Sequence, residues 1–178
     1  MKTFLQNLRR VWRSESNPDP VLEQAPPSRS AWVLPNKLKV GSFPEAPDLD
    51  CLKQEGIKAI LTLCDPAEAR LDPAFASSFY CLQYSLPDSR HSSPLLIEDL
   101  ATAVEMLQET LKTQGATYVH CLAGIERSPT VCIAYLCRYQ HLQVWESLNW
   151  LKSIHARTAI TSEQLRVISN YLATVAED

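Results

Sequence analysis

No run of apolar residues in this 178-residue chain approaches the length of a membrane-spanning helix. No two cysteines have the Cys-x2-Cys spacing of a zinc site, and no His/Cys/Asp cluster has metal-ligand spacing, so neither a metal nor another cofactor is expected. Basic residues do not predominate: the net charge is −3, and no basic tract interleaves with aromatics, which argues against nucleic-acid binding. Internal repeats and low-complexity tracts are absent. Six cysteines are scattered at 51, 64, 81, 121, 132 and 137, several inside apolar runs that read as core. Residues 1–13 are too short and too charged for a secretory signal, so a reducing, cytoplasmic compartment is expected. An apolar fraction of 46% and a charged fraction of 21% fit an ordinary globular protein, and the length suits one domain plus a short extension.

What is present centres on Val119-His120-Cys121-Leu122-Ala123-Gly124-Ile125-Glu126-Arg127-Ser128-Pro129-Thr130. The apolar run Ala116-Thr117-Tyr118-Val119 reads as the end of a buried strand. Ser128 to His141 reads as a helix, with Pro129 where a first-turn proline is tolerated. Between them a tight turn contains Gly124, the residue type that takes positive φ without strain. Strand, turn and helix N-terminus together form an anion site of inward amides and favourable dipole. The candidate phosphate-binding groups are those of Leu122, Ala123, Gly124, Ile125, Glu126 and Arg127, with Arg127 adding a planar fork for two oxygens. A cysteine at such a mouth is favoured as thiolate, which makes Cys121 a nucleophile beside a phosphate receptor and implies a phospho-cysteine intermediate. Cys132 to Arg138 repeats the Cys-x5-Arg spacing without glycine, preceding His or strand–helix junction, and reads as plain buried helix.

Elsewhere the chain divides simply. Residues 1–13 place Phe4, Leu5, Leu8, Val11 and Trp12 on one helical face beside Lys2, Arg9, Arg10 and Arg13. That suits weak docking to a membrane surface or a partner, or else a frayed terminus. Residues 14–30 carry four prolines and read as a linker, so the domain occupies 31–178. Trp32 to Gly41 reads as two short strands about a Pro35-Asn36 turn, and Asp48 to Glu55 as a helix closed by Gly56. Ile57 to Cys64 is a buried strand, Asp65 to Ser78 irregular with helical pieces, and Tyr80 to Leu86 a further strand. Helices follow over Pro94 to Gln114, 128–141, about 144–156 and 161–175, with a strand at 116–121. The alternation indicates one α/β domain with a central, mainly parallel sheet flanked by helices. The Cys121 loop lies at the carboxyl end of a central strand, where such sheets bind ligands.

His120-Cys121-x5-Arg127-Ser128, with Ala123-Gly124 inside it, resembles the cysteine-dependent protein tyrosine phosphatase superfamily, and the run from Cys121 to Ser128 its dual-specificity branch. The resemblance covers roughly residues 31–175. It implies that Asp88, in Leu86-Pro87-Asp88, is the general acid, with Asp65 and Asp72 as lesser candidates. It implies that Ser128 donates to the cysteine sulfur, a role that competes with helix N-capping. His120 is expected to hold the loop and tune Cys121 without acting as a base. Ser42 follows Gly41 as in the pair that the family places near its active site. Relatives carry a small residue where this chain has Glu126; facing the pocket it would weaken anion attraction, and facing out it would not. Cys64 is offered as a partner that traps oxidised Cys121 as a disulfide, the alternative being an inert buried thiol. Arg90 and His91 follow the acid and either engage substrate or are solvated; His141 and His155 read as surface or core-edge residues.

The expected activity is phosphomonoester hydrolysis by a monomer, with phosphotyrosine and/or phosphoserine/threonine protein as substrate. The loop carries no lysine, and Glu126 also disfavours highly anionic substrates. Nucleotide, RNA, inositol or sugar phosphates are the alternative substrates. A phospho-ligand binding module and a rhodanese-like transferase or thiol reductase are the competing classes.

Overall fold

Alternation along the inner strands decides which helices cover which face of the sheet. The computed structural model describes residues 29–89 and 93–176. The basic segment 1–13, most of the linker, Arg90 and His91 lie outside the described residues. The strands are β1 (Ser30–Leu34), β2 (Leu38–Gly41), β3 (Ala59–Thr62), β4 (Tyr80–Gln83) and β5 (Thr117–His120). The helices are α1 (Asp48–Gln54), α2 (Pro73–Ala76), α3 (Ile97–Thr113), α4 (Arg127–Gln140), α5 (Val144–Ile154) and α6 (Ser162–Thr174). The sheet order is β1-β2-β5-β3-β4, with only β1 antiparallel to its neighbour. Ile60 and Tyr118 face α1 and α2 in a cluster with Leu52, Phe75 and Phe79. Leu61 and Val119, one residue on in each strand, face the larger core with Leu107, Ile133, Leu136, Leu151 and Ile168.

The chain order and element types agree with the sequence reading, while most ends are shorter. β3 keeps only Ala59–Thr62 of the expected 57–64. α3 begins at Ile97 rather than Pro94, because Leu96 is still extended at φ −90°, ψ 157°. Most of α4 is buried on every side, from Arg127 to Cys137, as a helix wedged between the sheet and three other helices must be. Cys132, the nucleophile-like position of the second Cys-x5-Arg, is fully buried there, and burial pushes its thiol far up.

Register is what places the site. β5 lies between β2 and β3, and His120 pairs with Gly41 on one side and Thr62 on the other. Ser42, Cys121 and Leu63 therefore leave the sheet side by side at one rim. A Cβ on Gly41 would sit 2.2 Å from Tyr118 Oη, whose hydroxyl donates to Ser42 O at 2.6 Å. Gly41→Ala is accordingly expected to cost about 1–3 kcal/mol by overpacking a closed site. Urea unfolding followed by circular dichroism checks this.

Candidate active site

The turn after β5 is shaped from outside. Phe43 N donates to Leu122 O at 3.0 Å, Ala159 N to Ile125 O at 2.9 Å, and Thr130 N to Glu126 O at 2.9 Å. His155 Nε2 meets Gly124 O at 2.7 Å. A trans peptide points its N–H opposite to its C=O. Four carbonyls held on the outer side thus turn the amides of Ala123, Ile125, Glu126 and Arg127 toward the other side, where together with the start of α4 they can meet an anion. Gly124 sits at φ +69°, and a Cβ there would lie 2.5 Å from Ser42 N. Both the turn and the close approach of the Gly41–Ser42 strand end require glycine.

Cys121 lies at the floor, 3% exposed, and accepts from Ser128 Oγ at 3.4 Å. The same hydroxyl lies 3.2 Å from Gly41 O, so its proton serves one acceptor at a time. Ser128 is not the helix N-cap: Glu126 holds that position, with no side-chain cap bond.

Arg127 is 3% exposed, and its guanidinium is gripped by protein acceptors. Nη1 and Nη2 donate to Glu68 at 2.7 and 3.0 Å, Nη1 also to Leu86 O at 3.3 Å, and Nη2 to Asp88 Oδ2 at 3.3 Å. Glu68 forms a fork-to-fork pair, and the hydrogen bonds from Arg127 hold its carboxyl below the ordinary range. Burial opposes the Arg127 charge, but Glu68 and the neighbouring Cys121 hold its pKa above the ordinary value. Asp88 lies 8% exposed beside the loop. Asp65 and Asp72 instead turn the chain, accepting from Ala67 N and Ala74 N, each at 2.8 Å.

Two residues of this site escaped the sequence reading. Glu68, 59 positions before Arg127, lies in an irregular stretch with no periodicity to mark it. His155 was expected at the surface or core edge and is instead 1% exposed, holding the loop through Gly124. His141 is exposed, as expected, in a left-handed conformation that ends α4. Glu126 turns away from the pocket: Oε1 accepts from Ser89 N at 3.1 Å and Gln164 Nε2 at 2.5 Å, and Oε2 from Ser89 Oγ at 2.5 Å. The Cys64 thiol is fully buried and pushed up to about 12, chiefly by that burial, which favours the inert reading of it.

The family profile of the dual specificity phosphatase catalytic domain matches residues 38–173. A phosphatidylglycerophosphate phosphatase of Arabidopsis thaliana, PTPMT2, is 27% identical over 134 residues, 75% of this chain and 59% of that protein. Human dual specificity protein phosphatase 7 is 31% identical over 139 residues, 78% of this chain and 32% of that protein. The chain thus spans less than two thirds of these curated relatives. Among solved structures, PTPMT1 in complex with PI(5)P superposes with a TM-score of 0.74 at 18% identity, covering 84% of this chain and 98% of that one. The human tyrosine phosphatase-like serine/threonine/tyrosine-interacting protein gives 0.73 at 22%, covering 84% and 99%.

His120 supports the loop as a neutral ring. Nδ1 faces Cys121 O at 3.4 Å, an acceptor only, so Nδ1 carries the proton and Nε2 accepts from Thr62 Oγ1 at 2.9 Å. Burial pulls its pKa down to about 4. The folded value lies below the ordinary one of about 6.5, so this contribution is complete above pH about 6.5 and is lost as pH falls toward 4. At about 1.4 kcal/mol per pH unit it amounts to at most roughly 3–4 kcal/mol. His120→Gln should flatten the loss of stability between pH about 6.5 and 4 relative to the unsubstituted protein. Urea midpoints measured across that range check it.

Proposed function

The chain belongs to the dual specificity phosphatase catalytic-domain family, and from that premise we propose that it hydrolyses phosphate monoesters through a phospho-cysteine. The observation that carries the reading is the placement of Cys121, Arg127 and Asp88 around one concave loop. Cys121 sulfur attacks phosphorus and the ester P–O bond breaks. Asp88 gives its proton to the departing oxygen. Loop amides and Arg127 take the charge that grows on the equatorial oxygens. An incoming phosphoryl oxygen competes with Asp88 for the Arg127 Nη2 proton, so substrate binding separates acid from arginine and frees the carboxyl to face the leaving oxygen. Asp88 then takes a proton from the water that attacks phospho-Cys121, and the P–S bond breaks. Ser128 donates to the sulfur as it leaves.

The leading substrate is phosphoprotein, phosphotyrosine and/or phosphoserine/threonine, in a reducing compartment such as the cytoplasm. The loop residues 122–126 supply no cation for a second phosphate. A second reading, a phosphate monoester of a lipid, is favoured by one observation: two Arabidopsis relatives that match about three quarters of the chain are named phosphatidylglycerophosphate phosphatases. Residues 1–13 would dock such an enzyme at a membrane surface. Assays on a phosphotyrosine peptide, a phosphoserine peptide and phosphatidylglycerophosphate in mixed micelles separate the two.

Cys121→Ser should abolish turnover of an aryl phosphate while inorganic phosphate still binds, read by steady-state kinetics and calorimetry. A Cys121→Ser protein that still turns over contradicts the mechanism. Asp88→Ala should lower kcat on phenyl phosphate by on the order of 100-fold, with a much smaller loss on nitrophenyl phosphate, whose leaving group needs little protonation.

A further inference from the structure

Resting on the phosphatase reading of the same loop, we propose that Glu126 is a positioning residue that clasps the acid loop shut and so sets where Asp88 delivers its proton. The carboxylate reaches out of the phosphate loop and takes both donors of Ser89, the residue after the acid: the backbone N–H at 3.1 Å and the hydroxyl at 2.5 Å. Two bonds to one residue fix an orientation as well as a distance. Gln164 Nε2 adds a third at 2.5 Å. Gln164 is itself locked, 4% exposed, in the capping box that starts α6: its Oε1 accepts from Thr161 N at 2.9 Å and its N–H meets Thr161 Oγ1 at 3.2 Å. Glu126 is anchored from behind, its carbonyl accepting from Thr130 N at 2.9 Å and Thr130 Oγ1 at 2.8 Å.

The clasp therefore joins three segments separate in sequence, namely the phosphate loop, the acid loop and the first turn of α6. The loop leaving β4 is tied to the sheet before the acid, Tyr84 N donating to Thr62 O at 2.9 Å and Leu86 N to Leu63 O at 3.1 Å, and the clasp ties it after the acid, at Ser89. Asp88 itself accepts from Arg127 Nη2 at 3.3 Å. That contact is the one substrate displaces. Once phosphate sits on Arg127, the Ser89–Glu126 bonds still hold the chain on the far side of the acid, which keeps the carboxyl within reach of the leaving oxygen. A small side chain at 126 has no atoms to do this.

Proton delivery gives a readout that general loss of structure does not. The kcat ratio of phenyl phosphate to nitrophenyl phosphate is measured for the unsubstituted protein, Glu126→Ala, Glu126→Gln and Ser89→Ala, each also with Asp88→Ala. We expect Glu126→Ala to lower the ratio about tenfold and to have no further effect on it once Asp88 is gone. Glu126→Gln should recover part of the loss, because its amide oxygen still accepts from Ser89 N. Ser89→Ala should fall between, since the backbone donor remains. Equal losses on both substrates, or an undiminished effect in the Asp88→Ala background, overturn the clasp. Should the unsubstituted protein turn over neither substrate, the phosphatase reading fails, and hydrogen exchange decides the clasp alone. Faster exchange across 84–89 in Glu126→Ala supports it, and unchanged exchange overturns it.

Discussion

A guanidinium taken almost wholly out of water must be answered by anions or carbonyls, and that requirement organises this molecule. Arg127 is answered by Glu68, Asp88 and Leu86 O, which arrive on two different connections of the sheet. The loop after β3 and the loop after β4 are thereby tied to the start of α4. An unpaired charge at this depth would cost several kcal/mol, so the pairing holds the rim together when no substrate is present. The same groups make the site responsive. Glu68 holds the fork at 2.7 and 3.0 Å, whereas Asp88 meets Nη2 at 3.3 Å, so an anion entering the loop would compete with Asp88 first.

Around that charge the backbone does the shaping. The amides face inward because four carbonyls are claimed from outside, by Phe43, His155, Ala159 and Thr130. Two of these claimants lie on the segment that links α5 to α6, far from Cys121 in sequence. His120 and His155 contribute through hydrogen bonds, and burial lowers the pKa of both rings. Glu126 extends the same economy outward: a carboxylate that would repel substrate from within the pocket is turned away and satisfied by Ser89 and Gln164.

Much of the fold was legible because its signals are local. The run Ile57 to Cys64, the periodic stretch 97–113 and the strand–turn–helix around Gly124 announce themselves by spacing of apolar residues and by one glycine. Element ends were less legible: Leu95 and Leu96 look helical, yet the chain stays extended there as it crosses the rim. Of the three loop aspartates, Asp88 meets Arg127, while Asp65 and Asp72 turn or cap their own segments.

Sequence by itself determined that a cysteine and an arginine six residues apart bracket a glycine turn at a strand–helix junction, because all of that lies within one continuous stretch of backbone. Only the tertiary structure decided that Glu68 grips Arg127, that His155 holds Gly124 and that Glu126 faces Ser89 rather than the pocket. Those contacts span 59, 31 and 37 positions. No local periodicity encodes such distances. They exist because parallel strands in register bring the carboxyl ends of β2, β5 and β3 to one rim, where charges buried together must find one another.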